Sequence, residues 1–249
     1  MGWQKFFLSL GIRAIVICPA LVSFLGVLPQ PLQAHPELQV SLKFPPTEPR
    51  PDVPARTPGG GTRRGPSCTQ QGKIPLTVLM PTSNVGTTVA ANPTLFWYVP
   101  QTTAKAADFV IFDDKDNQVY QVTLALPGTP GIANYSLPAN VSLEAGKTYK
   151  WQFALVCQPR DPSGDQLVEV VEGLIKRTEL SPKLKAQLVQ APPLEQAKLY
   201  AQAGIWQETL TILAQLRSSR PTEWEELLKS VGLDAIAQAP FAEYRAAEK

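Results

Sequence analysis

Histidine is almost missing from this 249-residue chain, which has one, His35, beside three cysteines and two methionines. That shortage excludes most nucleophilic and metal chemistry at once. A Ser-His-Asp triad would have to recruit His35, and no Gly-x-Ser-x-Gly turn is present. A zinc site needs more histidine or cysteine than the chain holds. A dense basic stripe is missing too, so nucleic acid is set aside as a partner. Beyond residue 28 no apolar run approaches the roughly 20 residues of a membrane span. The chain is therefore read as no enzyme, with no cofactor and no membrane-spanning mature form.

Proline is what the chain has in excess: 25 residues, about twice the ordinary share. Its distribution divides the sequence. Lys5 and Arg13 precede an apolar stretch from Ala14 to Leu28, which Pro29-Gln30-Pro31 breaks. Leu32-Gln33-Ala34 then offers a small residue at −1 and an aliphatic one at −3. This is the order of a secretory signal over 1–34, cleaved after Ala34, with an uncut anchor as the rival. Ile17 is too large for a lipidation box at Cys18. Cleavage removes two basic residues, and the 21 acidic residues are then balanced by the basic ones that remain. The predicted setting is extracytoplasmic, periplasmic or secreted. There, the two remaining cysteines, Cys68 and Cys157, predict a disulfide rather than two separate buried thiols.

Residues 35–73 are rich in proline and then in glycine (Gly59-Gly60-Gly61), with Val40-Ser41-Leu42-Lys43-Phe44 as the longest apolar feature. The composition predicts a disordered leader or linker. Residues 74–178 alternate at period two. Tyr149, Trp151, Phe153, Leu155 and Cys157 share one face of a strand, and Tyr120, Val122, Leu124 and Leu126 one face of another. Seven strands are predicted: 74–80, 94–99, 108–113, 118–126, 132–137, 148–157 and 167–177. Their spacing fits an immunoglobulin- or fibronectin-like antiparallel β-sandwich, and Leu143–Tyr149 fits a tyrosine corner; a generic sandwich or barrel is the rival.

Residues 179–249 turn to helical period. Ser181-Pro182 and Pro193 open helices, Gly204 and Gly232 close them, and Thr222–Glu225 reads as a capping box. Trp224, Leu227, Leu228 and Val231 form one stripe. Ala197–Leu210 resembles a tetratricopeptide hairpin, present as a single unit where an array needs about three. The predicted fold class is thus α+β in separate regions, the sandwich followed by a helical segment.

Five segments carry a wider likeness: 81–89 (PTSNVGTTV), 92–100 (NPTLFWYVP), 126–132 (LPGTPGI), 149–153 (YKWQF) and 203–206 (AGIW). Together they resemble a cyanobacterial secreted family catalogued as a domain of unknown function. The resemblance runs from about Gly59 to Phe241 and implies an extracytoplasmic setting. It implies no activity and no catalytic residues.

Four candidate sites remain. His35, freed at the N-terminus, resembles one half of the copper brace of lytic polysaccharide monooxygenases. The second histidine is missing, and Pro36 removes the next amide, so the tail reading is preferred. Asp113, Asp114 and Asp116 could hold calcium, but the loop lacks the glycine and closing glutamate of a calcium loop, and a hairpin turn explains it. Glu169 and Glu172, three apart on a strand, should face opposite sides and so cannot pair as acid and base. Phe96, Trp97 and Tyr98 must point to both faces of one strand. Either the helical region covers that sheet, or a ring such as Trp97 or Tyr98 is a surface contact for a ligand or partner. The preferred function is a non-catalytic protein-interaction or envelope scaffold module, and the alternative a binder of envelope polysaccharide.

Intact mass spectrometry of exported protein should give a mass beginning at His35, with both thiols protected from alkylation until reduction. A mass retaining Met1, or two freely alkylated cysteines, would defeat the compartment argument.

Overall fold

Alternating side chains build the strands, and the computed structural model places them in two sheets. It describes residues 42–48, 61–63, 68–69, 74–158 and 168–246. The expected signal at 1–34, Cys18, His35 and the first two glycines of the Gly59–Gly61 run lie outside the described residues. The strands are β1 (Gly61–Arg63), β2 (Thr77–Val78), β3 (Val85–Thr88), β4 (Thr94–Val99), β5 (Ala106–Phe112), β6 (Gln118–Ala125), β7 (Gly131–Ser136), β8 (Thr148–Val156), β9 (Val168–Arg177) and β10 (Arg245–Ala246). The larger sheet runs β1-β9-β8-β5-β6-β10, with β3 added parallel to β9. The smaller runs β2-β4-β7, antiparallel throughout.

All seven expected strands are present, the first of them reduced to Thr77–Val78. β1, β3 and β10 are additional. Gly86 in the middle of β3 weakens any strand signal in the sequence, yet the structure needs that glycine. A Cβ there would lie 2.7 Å from Gln207 Nε2 and 3.1 Å from Met80 Cε, so β3 can approach the helices only without one.

The inner faces of the two sheets meet through rings. Trp97 on β4 stacks on Phe109 of β5 at 5.6 Å and lies 4.4 Å from Phe153 and 6.2 Å from Trp151, both on β8. All four are fully buried. At the strand before this core, the Tyr149 hydroxyl accepts the Glu144 amide at 3.0 Å.

Four helices follow: α1 (Pro182–Gln190), α2 (Pro193–Gln202), α3 (Trp206–Leu216) and α4 (Pro221–Ser230), then a 3₁₀ turn at Asp234–Ile236. Ser181 caps α1 by accepting from the Leu184 amide. Gly204 and Gly232 both adopt a φ of +70°, which lets the chain leave α2 and α4 sharply. The expected capping box does not form. Pro221 takes the first helical position, so Thr222 falls inside α4 and Arg220 is the cap without a side-chain bond.

The helices share their core with the sheets. Trp206 is fully buried and donates its indole N–H to the Leu79 carbonyl at 2.9 Å. One oxygen of Glu208 accepts from the Thr88 hydroxyl and from the Val89 and Ala90 amides at 2.7–3.0 Å. These bonds fasten the start of α3 to the end of β3.

The leader departs from expectation. Leu42 and Phe44 are buried, their amides donating to Glu226 Oε2 and Ser230 Oγ, and Phe44 meets the Trp206 ring edge-on at 4.9 Å. The partners lie some 180 residues away in sequence, so local composition could not disclose them. Lys43 between the two points to solvent. Phe44→Ala should lower unfolding stability by about 3 kcal/mol in urea titrations, with Lys43→Ala close to neutral; equal small effects would mean that 42–48 is not docked.

Candidate functional site

β4 decides which rings are available. Period two sends Leu95, Trp97 and Val99 inward and Thr94, Phe96 and Tyr98 outward. Trp97 is wholly enclosed by Phe109, Trp151 and Phe153, so the expectation of Trp97 as a surface contact is corrected: it is a core residue. Tyr98 is half-buried, and burial raises its phenol pKa. It neighbours Tyr244, whose own phenol is pushed well up by burial and then by Tyr98. The Tyr244 hydroxyl is buried and has no hydrogen-bond partner among the described residues.

The outward face of β4 and β7 is roofed by α3. Across the ladder Thr94 stands opposite Ser136, and Phe96 opposite Asn134. The Thr94 and Ser136 hydroxyls are hydrogen-bonded at 2.7 Å. Thr211, Ala214 and Gln215 face them from α3, leaving an open cleft of about 240 Å³ with Phe241 on its rim. Past Phe241 lies a second hollow of about 430 Å³, lined by Arg217, Ser218, Glu225 and Gln238 among others.

The C-terminal segment places Phe241. Pro240 accepts from the Ile132 amide at 2.7 Å, and the Ala242 amide donates to the Ile132 carbonyl at 2.9 Å. Gly131 is required here, because a Cβ would lie 2.7 Å from the Pro240 oxygen. The chain then reaches β10, which pairs with Leu124 and Ala125 on β6. Arg217 lies 5.4 Å from the Trp224 ring and 5.0 Å from Phe241, and donates to the Ala237 carbonyl.

Cys68 and Cys157 are joined in a disulfide, their Cα atoms 5.4 Å apart. Cys68 is anchored: its carbonyl accepts from the Thr102 hydroxyl and the Thr103 amide. Glu169 places a carboxylate oxygen within 4.8 Å of both sulfurs and accepts from the Thr69 hydroxyl at 3.1 Å. With the sulfurs covalently joined there is no thiolate to bind a metal. Glu169 is buried and Glu172 half-buried on the opposite face of β9, as their spacing requires.

The acidic loop is a turn. Asp113 Oδ1 accepts the Lys115 and Asn117 amides, and Oδ2 the Asn117 side chain. The Asn117 side-chain bond, above all, holds the Asp113 carboxyl below its usual range. Asp116 adopts a φ of +60° and pairs with Lys150. Among the described residues Asp113, Asp114 and Asp116 do not gather into a metal-ligating group. Turn chemistry accounts for Asp113 and Asp116.

Glu208 was not singled out by sequence reasoning. An acidic residue in the first turn of a helix is a common electrostatic preference, and nothing local reveals that it reaches three donors on another element. Phe241 was not singled out either, since its exposure is set by the tail's pairing with Ile132.

A family model matches residues 58–241. The chain belongs to the family described as Domain of Unknown Function (DUF928). The DUF928 match spans every strand from β1 to β9 and all four helices, ending at Phe241. No curated protein and no solved structure matches the chain.

Disulfide closure of the 89-residue separation in this DUF928 chain should stabilise it by about 4–5 kcal/mol. The Cys68→Ser/Cys157→Ser variant should unfold at correspondingly lower urea, and reduction of the native protein should reproduce the shift; coincident unfolding curves would refute a structural role.

Proposed function

We propose that this chain is a non-catalytic, extracytoplasmic interaction or envelope scaffold module. The compartment reading draws support from the signal-like N-terminus and from the Cys68–Cys157 disulfide. No helix among the described residues is long and apolar enough to cross a membrane. The module is an immunoglobulin- or fibronectin-like sandwich, with a tetratricopeptide-like hairpin formed by α2 and α3. The Tyr149 hydroxyl bond to the Glu144 amide has the form of a tyrosine corner and supports the first. Gly204 at the turn and Trp206 two residues on support the second.

The observation that carries the interaction reading is the outer edge of β6. β10 pairs with it only at Leu124 and Ala125; from Gln118 to Thr123 that edge meets no other strand among the described residues. β6 contains no charge and no proline, the usual guards of an open edge, and Val119 is 41% exposed. A partner strand can continue the sheet where β10 stops. A photo-crosslinker at Gln118 in an exporting host should capture a defined polypeptide. Val119→Lys with Gln121→Lys should abolish that product while leaving the fold intact by circular dichroism. No protein product, or one that survives the two lysines, would refute the edge as the contact.

A further inference from the structure

We propose that the cleft between the outward face of β4–β7 and α3 binds a neutral, polyhydroxylated ligand, a short stretch of glycan, with Phe241 as the ring on which it stacks. This is independent of the β6 edge.

Thr94, Asn134 and Ser136 come from the sheet, and Thr211 and Gln215 from α3. All are hydroxyls or amides that both donate and accept. Phe96 lies beneath them, and no charged side chain lines this cleft. A charged ligand would find no counter-charge there. A purely apolar one would strip water from five polar groups and return no hydrogen bonds. An extended peptide seeks free backbone at a sheet edge, whereas this cleft lies on a sheet face, where the backbone of β4 and β7 is already paired. Vicinal hydroxyls match the adjoining Thr94 and Ser136 oxygens, and the C–H face of a sugar ring matches an aromatic platform.

Phe241 supplies that platform in a fixed position. It is 39% exposed, while its ring lies 5.5 Å from Trp224 and 5.0 Å from the Arg217 guanidinium. Its backbone is held on both sides, through Pro240 and Ala242 on Ile132. A ring ordered before binding costs the complex little conformational freedom. The first cleft, about 240 Å³, is smaller than the roughly 300 Å³ at which drug-sized pockets begin and suits a single sugar ring. The second hollow, about 430 Å³ and also bordered by Phe241, gives an oligosaccharide room to continue over the ring toward Gln238 and Ser218, past Arg217 and Glu225, whose opposite charges leave that wall neutral on balance.

The test is titration of the isotope-labelled mature chain with cellohexaose, maltohexaose and chitohexaose, and with an oligogalacturonate as the acidic comparison, followed by NMR. At least one neutral hexasaccharide should shift saturably the resonances of Thr94, Asn134, Thr211 and Phe241, and the acidic oligomer should bind at least ten-fold more weakly. Phe241→Ala should weaken binding ten-fold or more. Because that change also touches the tail, Asn134→Ala and Gln215→Ala, both at exposed side chains, should each weaken it at least three-fold, with Val189→Ala on α1 without effect. Silence toward all three neutral sugars, shifts mapping away from the cleft, preference for the acidic oligomer, or unchanged binding by the Asn134 and Gln215 variants would each overturn the proposal.

Discussion

Trp206 is the residue on which the rest of the arrangement hangs. Fully buried at the start of α3, it bonds the Leu79 carbonyl before β4, receives Phe44 from the leader edge-on, and donates its own amide N–H to the Thr87 hydroxyl. Strand, helix and leader therefore converge on one indole. Its N–H would be costly to bury without the Leu79 oxygen, so the ring fixes orientation as well as volume. Glu208, two residues on, accepts from three donors at the end of β3 and just beyond it. α3 thereby covers part of the small sheet's outward side and leaves open the cleft that Phe241 borders.

Much of this architecture could be read from the residues because period carries it. Tyr149, Trp151, Phe153 and Leu155 are buried as alternation demands, and Trp224, Leu227, Leu228 and Val231 as a helical stripe demands. Turn chemistry at Gly204 and Gly232 was legible for the same local reason. What escaped depended on distant partners. β3 exists because β9 offers an edge and Gly86 permits the approach of Gln207. Leu42 and Phe44 are buried because α4 presents Glu226 and Ser230. The capping box lost to Pro221 in a competition that two valid start signals leave open.

The site was less legible than the fold. Three adjacent rings at 96–98 announced that something must cover both faces of β4, and the helical region does cover the outward one. The sequence could not say which ring faces the space between the two sheets, and Trp97 proved to be at its centre. Phe241 carried no periodic signal. Its place follows from a tail that pairs with Ile132, a contact made possible by a glycine more than a hundred residues earlier.

That tail has a consequence for the order of folding. Arg245–Ala246 pairs with β6, and Leu42 rests on α4, so the ends of the described chain are each fastened to segments far from them in sequence. Long-range closures of this kind slow folding, and these particular pairs cannot form until the residues around Arg245 have been made. Partly synthesised chains would expose unpaired β6 and β7 edges, which are prone to aggregation. Delivery of the whole chain before folding begins avoids that hazard, and translocation in an unfolded state would provide it.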